Sequence, residues 1–236
     1  MNVNVRNHYR NNVANLPFRP GWGGWGGSRW HHHGNYRPSH WWRWATAGAV
    51  TGWIAHAWTT PLYYNYGAGG NIYYEGDTVY MDSQPVCTGE EYYDQAYAIT
   101  ESVPEVTEEQ AKEIEWMPLG VFAVVQEGVE DGNLLLQLAV SKDGLIAGTL
   151  YNESTESSRE VEGMVDKETQ RAAWAPVDGK NTDVVMETGI YNLTEDQAVV
   201  MVHFGPETTQ TWTLVRLDEP KEENSEAASK TAVPQS

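Results

Sequence analysis

Six polar residues fall in or beside runs that otherwise read as β-strand: Gln170, Arg171, Glu187, Asn192, His203 and Arg216. If those strands form a barrel with an open mouth, these side chains are the first candidates for ligand contacts. His203 sits between Val202 and Phe204, where a lone histidine reads first as a hydrogen-bonded structural group. The triplet His31-His32-His33, with His8 and His40, offers weak metal candidates. Adjacent histidines in a flexible chain bind metals loosely, without fixed geometry or supporting contacts, so no metal centre is expected. Cys87 precedes a capped helix start, a place that can depress a thiol pKa, but no histidine lies within ten residues. It reads as a small half-buried residue. Glu108, Glu109, Glu113 and Glu115 read as a solvated helix face, and Glu160 and Glu162 as the wet side of a strand. Glycoside hydrolysis needs two carboxyls opposed across a cleft, and nothing here specifies such a pair. The motifs G-x-S-x-G, H-E-x-x-H, G-x-G-x-x-G and the P-loop are absent. The expectation is a non-enzymatic protein without a cofactor.

These candidates belong to a chain of two unlike halves. Residues 1–74 hold six Arg, no Lys, no Asp or Glu, six of the seven His and eight of the eleven Trp. The first carboxylate is Glu75, and beyond it 33 acidic side chains face nine basic ones. Residues 1–44 are rich in Gly, Asn, Trp, His and Arg and show neither helical nor strand period. They are expected to be a disordered arm, as is an acidic tail at 218–236. Arginine interleaved with tryptophan suits contact with an anionic polymer or a membrane surface. The acidic bulk disfavours nucleic acid, whose phosphates need clustered cations. A single cysteine rules out an internal disulfide. The start, MNVNVRNHYRNN, lacks the apolar core and cleavage site of a signal peptide.

The apolar run Trp41–Trp58 is too short to span a bilayer, which takes about 20 residues. It reads as a buried helix ended before Pro61, with an interfacial segment or a signal-like remnant as alternatives. Ile72–Glu75 and Thr78–Met81 predict a hairpin turning on Gly76-Asp77, with Tyr74 opposite Val79 and Tyr73 opposite Tyr80. Thr88-Gly-Glu-Glu91 and Thr107-Glu-Glu-Gln110 are capping boxes that predict two helices, the second running to Met117. From there the period becomes that of strands: Gly120–Gln126, Leu134–Val140, Leu145–Tyr151, Arg159–Val165, Arg171–Trp174, Asp183–Glu187, Ala198–Phe204 and Gln210–Leu217. Short turns allow only antiparallel neighbours. The fold class is therefore mainly β, an eight-stranded antiparallel up-and-down meander closing into a barrel. The domain reading is an arm at 1–44, helix, hairpin and capped helix at 45–106, a β-meander at 107–217 and the tail. Several strands are apolar on both faces, for example Leu134 to Leu138 and Val199 to Phe204. A meander with one wet face alternates more cleanly. Part of the outer wall must be covered, by the 107–117 helix, by the Trp-rich segment, or by a second copy in a homo-oligomer.

The phrases YYNYGAGGNIYYEGDTVYMDSQPV, EWMPLGVFAV, LQLAVSKDGLIAGTLYN, METGIYNLTEDQA and VHFGPETTQTWTLVRLDEP carry a resemblance. Over roughly residues 41–220 the chain resembles a group of planctomycete and cyanobacterial proteins labelled mu-protocadherin or cell-surface protein. The resemblance implies a bacterial cell-surface, periplasmic or envelope setting, although no export signal is visible, and it supplies no catalytic or binding residue. Cadherin-type calcium motifs such as DxNDN and LDRE do not occur, so calcium-dependent adhesion is not expected. The functional expectation is an envelope-associated protein with a basic aromatic arm and a β-domain for stability or partner binding. The alternative is a small-molecule carrier with its ligand inside the barrel.

Overall fold

The structure is a computed structural model that describes residues 45–105, 110, 113–126, 133–177 and 183–218. The arm, most of the tail, the histidine triplet and most of the second capping box lie outside these residues. Helix α1, Ala47–Trp53, is started by Thr46, whose hydroxyl accepts from the Ala49 amide at 3.2 Å. It ends where Ile54 turns to extended backbone. The apolar run thus yields only two turns of helix, with Val50 and Ile54 buried.

A three-stranded antiparallel sheet follows: β1 (Ile72–Glu75), β2 (Thr78–Met81) and β3 (Gln84–Thr88). The first hairpin has the expected register, Tyr74 to Val79 and Tyr73 to Tyr80, with the two Tyr73 and Tyr80 rings stacked at 5.2 Å. Gly76 supplies the φ of +61° that opens a type II′ turn. The third strand was not expected. Asp82 and Ser83 both take positive φ, the type I′ pattern usually signalled by Asn-Gly. Pro85 argues against a strand except at an edge, which is where β3 lies. Helix α2, Gly89–Glu101, then starts on the predicted capping box: the Glu91 amide donates to Thr88 Oγ1 and the Thr88 amide to Glu91 Oε2.

The barrel is closed and built from β4 (Trp116–Val125), β5 (Leu134–Ser141), β6 (Leu145–Asn152), β7 (Ser157–Val165), β8 (Arg171–Pro176), β9 (Val184–Gly189), β10 (Gln197–Phe204) and β11 (Thr209–Arg216). Each strand is antiparallel to the next, and β11 returns to β4. The mainly β, eight-stranded reading therefore holds. One boundary is corrected. Gln110 and Glu113 are helical, but Trp116 and Met117 belong to β4, paired with Ser141 and Val140. Pro118 disfavours helix at Met117, and Trp116 packs with Ala139, Leu145 and Ala147.

Phe122, Val124, Leu136, Leu138, Val161, Trp174, Val200 and Leu214 form one buried cluster in the barrel interior. At the end where β7 turns into β8, α1 closes the barrel through Val50 and Ile54, packed in the same cluster as Ile190, Tyr191 and Leu193. Thr51 Oγ1 lies 2.7 Å from the Tyr191 hydroxyl, and Trp53 Nε1 donates to the Val140 carbonyl at 3.0 Å. The outer wall is also apolar and is partly covered, but on β8–β10 neither the 107–117 helix nor the Trp-rich segment supplies the cover. The cover on β8–β10 is α2 and the three-stranded sheet: Tyr93 and Ala96 pack on Ala173 and Val185, and Ile72, Val79, Tyr64, Tyr66 and Tyr92 cluster with Met201.

Candidate functional site

Strand alternation puts the odd-numbered residues of β8, β9 and β10 on the outer wall, beneath this cover. Ala173 pairs with Glu187, Glu187 with Met201, and His203 with Thr209. Arg171, Glu187 and His203 thereby fall on one diagonal across three strands. Arg171 donates from Nε and Nη2 to Glu187 Oε2, at 2.8 and 2.5 Å. Glu187 Oε1 is 3.1 Å from His203 Nε2, and His203 Nδ1 is 2.9 Å from Thr209 Oγ1. The carboxylate only accepts, so Nε2 carries a proton toward it. In the neutral ring Nδ1 then accepts from the Thr209 hydroxyl. Arg171 also donates to Gln95 Oε1 at 2.9 Å, and its guanidinium lies 4.1 Å from the centre of the Tyr92 ring. The charged row therefore ties four strands to α2.

Glu187 and His203 are fully buried, and Arg171 nearly so. Burial pushes the Glu187 carboxyl upward, but the Arg171 charge and the His203 hydrogen bond outweigh it, leaving its pKa below the ordinary range. For Arg171 burial acts downward, and Glu187 reverses the sign, holding the guanidinium charged. Burial likewise drives the Tyr66 and Tyr92 phenols well up.

Thr209, His203 and Glu187 stand in the order of a nucleophile, a base and an orienting carboxylate. Two features oppose that chemistry. His203 is sealed beneath Thr209 with no exposed surface, so it cannot hand a proton to a departing group. Arg171 already neutralises the carboxylate that would stabilise an imidazolium. The row works as a polar seam between wall and cover.

The other three candidates sit at the closed end of the barrel. Gln170 Oε1 accepts from the Leu62 amide at 2.7 Å, and its Nε2 donates to the Thr60 carbonyl at 3.0 Å. Asn192 does the same for Tyr64, at 2.9 Å in both directions. These two amides act as substitute peptide groups that hold residues 60–64 against the barrel. Arg216 donates to the carbonyls of Leu119, Leu193 and Glu195 and lies 4.8 Å from the Phe122 ring centre. It can pass there because Gly120, at φ +137°, has no Cβ to collide with its guanidinium. All six side chains thus have partners within the fold.

An open cleft of about 840 Å³ lies outside the barrel, and the sequence did not flag it. The 67–68 loop, the β1–β2 hairpin, the start of α2 and the β10–β11 connection line it. Its named groups include Tyr73, Tyr74, Glu75, Asp77, Glu90, Glu207, Thr209 and Gln210. The GAGGN stretch and the turn at Gly205-Pro206 lie far apart in the chain, and only the barrel's register brings them together. Thr209 both lines this cleft and ends the buried row. The Tyr74 hydroxyl is buried beneath the cleft, on the side of Thr209, and burial pushes its pKa up to about 12. Cys87 is half-buried, and burial also raises its thiol pKa, consistent with an unreactive residue. Among the described residues no three His, Cys, Asp or Glu side chains gather as a metal site, and no helix is long and apolar enough to cross a membrane.

Comparison with family models, with curated proteins and with solved structures finds no match.

Proposed function

We propose that this chain is a non-enzymatic, envelope- or surface-associated binding protein. The barrel is its scaffold, and the cleft on the outer wall is its recognition surface. The observation that carries this reading is a division of space. The barrel interior is taken up by the protein's own side chains, Trp174, Phe122 and Leu138 among them. The open cleft beside it is lined by exposed carboxylates and by polar side chains. A filled eight-stranded barrel weighs against a carrier with its ligand inside, since barrels of this size hold either side chains or one small ligand. The arm at 1–44, with six arginines and no carboxylate across residues 1–74, would add attraction to an anionic polymer or membrane surface. The surface setting is the one the resemblance over residues 41–220 implies.

Protease shaving of intact source cells, with the full-length protein also sedimented against isolated envelopes, tests this reading. Fragments from residues 107–217 should be released from intact cells, and the protein should pellet with envelopes in a salt-dependent manner. Complete protection from protease, with all of the protein soluble after lysis, would overturn the envelope assignment.

A further inference from the structure

We propose that the N-terminal arm seats its Trp22–Trp30 stretch on the outer wall of the barrel, over β11, β4 and β5, a contact within one chain that does not depend on the envelope assignment. Val121, Ala123 and Val125 of β4, Leu135 of β5, Val215 of β11 and Leu217 form an apolar cluster on that wall. The register sets Val215, Ala123, Leu135 and Tyr151 side by side across four strands. Among the described residues, the half-buried Tyr151 is the apolar side chain that packs on this cluster from beside it. A bare sheet face leaves its outward side chains open to water, yet Val121, Ala123, Leu135 and Val215 are at most 1% exposed within a single chain. The cover therefore belongs to this chain and not to a second copy. Helix α2 and the three-stranded sheet are spent on β8–β10. The stretch 127–132 brings one apolar side chain, Val129, with three carboxylates, and 219–236 brings no aromatic, Leu, Ile or Met and an excess of acid. The arm brings six tryptophans and six arginines without a carboxylate, and each buried tryptophan removes about 150–250 Å² from water. Charge agrees with this choice. The row that starts at Val121 runs through Gln137 and Thr149 to Glu160, with Glu162 next on β7, an acidic border for Arg19 and Arg29. Reach selects the stretch. Ala45 packs beside α1 at the sealed end, and from Leu119 to Val125 strand β4 rises about 20 Å. Trp41 and Trp42 extend no more than about 14 Å from Ala45, whereas Trp30 extends up to about 50 Å. The glycines on either side of Trp22 and Trp25 let the backbone lie close against the wall.

The test places the photoreactive residue p-benzoylphenylalanine at position 151 of the full chain, in place of Tyr151 beside the cluster. After irradiation and proteolysis, mass spectrometry should find position 151 joined to the Trp22–Trp30 stretch within a monomer. Crosslinks to 106–112, 127–132 or 219–236 instead, to neighbouring strands alone, or to a second copy in covalent dimers would overturn the proposal. A full-chain variant carrying Trp22→Ser, Trp25→Ser and Trp30→Ser reports on the energetics. It should keep the far-ultraviolet spectrum of the barrel, unfold at lower urea concentration, and bind anilinonaphthalene sulfonate with severalfold brighter fluorescence as the wall is uncovered. An unchanged urea midpoint with unchanged dye fluorescence would overturn the docking.

Discussion

Arg171, Glu187 and His203 show how much a polar residue in a strand run can convey. Their residue types, set among apolar neighbours, marked them as groups that need partners. The sequence did not say which wall of the barrel they occupy. Alternation normally decides that, and here both faces are apolar, so the parity signal is lost. The structure places them outside, under α2, where Glu187 balances Arg171. Replacing Glu187 with Gln leaves a buried guanidinium without its counter-charge and should cost about 3–5 kcal/mol of stability. The pH dependence has a definite sign. A carboxyl held below its unfolded value contributes stability that is fully present above about pH 4.3 and fades as pH falls toward the folded pKa. Urea midpoints of wild type and Glu187→Gln should therefore differ by a constant amount near neutrality and converge below about pH 4.3. A gap that stays unchanged down to pH 3 would mean that the Arg171–Glu187 pair contributes nothing.

At the scale of elements, local signals were legible where the chemistry is local. The Thr88–Glu91 capping box and the Gly76-Asp77 turn formed as their residues required. Strand β3 was missed because Pro85 and the Asp82-Ser83 turn fit a strand only at a sheet edge, and edge position is a tertiary property. The boundary at Trp116 was missed because a helical pattern ran on into residues that gain more by pairing with β5. Helix α2 covers the wall by way of Tyr93 and Ala96 and is held at its start by Thr88. Thr88→Ala should lower stability by about 1 kcal/mol, read as a shift in the urea midpoint with the far-ultraviolet spectrum of the folded protein unchanged. A loss within error would show that packing on the barrel, without the cap, fixes the helix start.

For the whole molecule, the eight-strand meander and its covered outer wall followed from turn spacing and two-faced strands. Closure into a barrel was part of the same reading, and the pairing of β11 with β4 completes it. The sealed end and the cleft followed from none of these, because they depend on separate loops converging. The apolar interior is the reverse of the polar lumen of transmembrane barrels, and the proposed function takes the barrel as a support with its recognition surface outside. The most direct test of that arrangement is amide chemical-shift mapping of the full chain during titration with soluble fragments released from the source envelope. Shifts gathered on Gly67, Tyr74, Gly89, Thr209 and Gln210, with Trp174 and Phe122 unmoved, are the predicted result. Shifts centred on Trp174, Phe122 and Leu138 would contradict it and place the ligand inside the barrel.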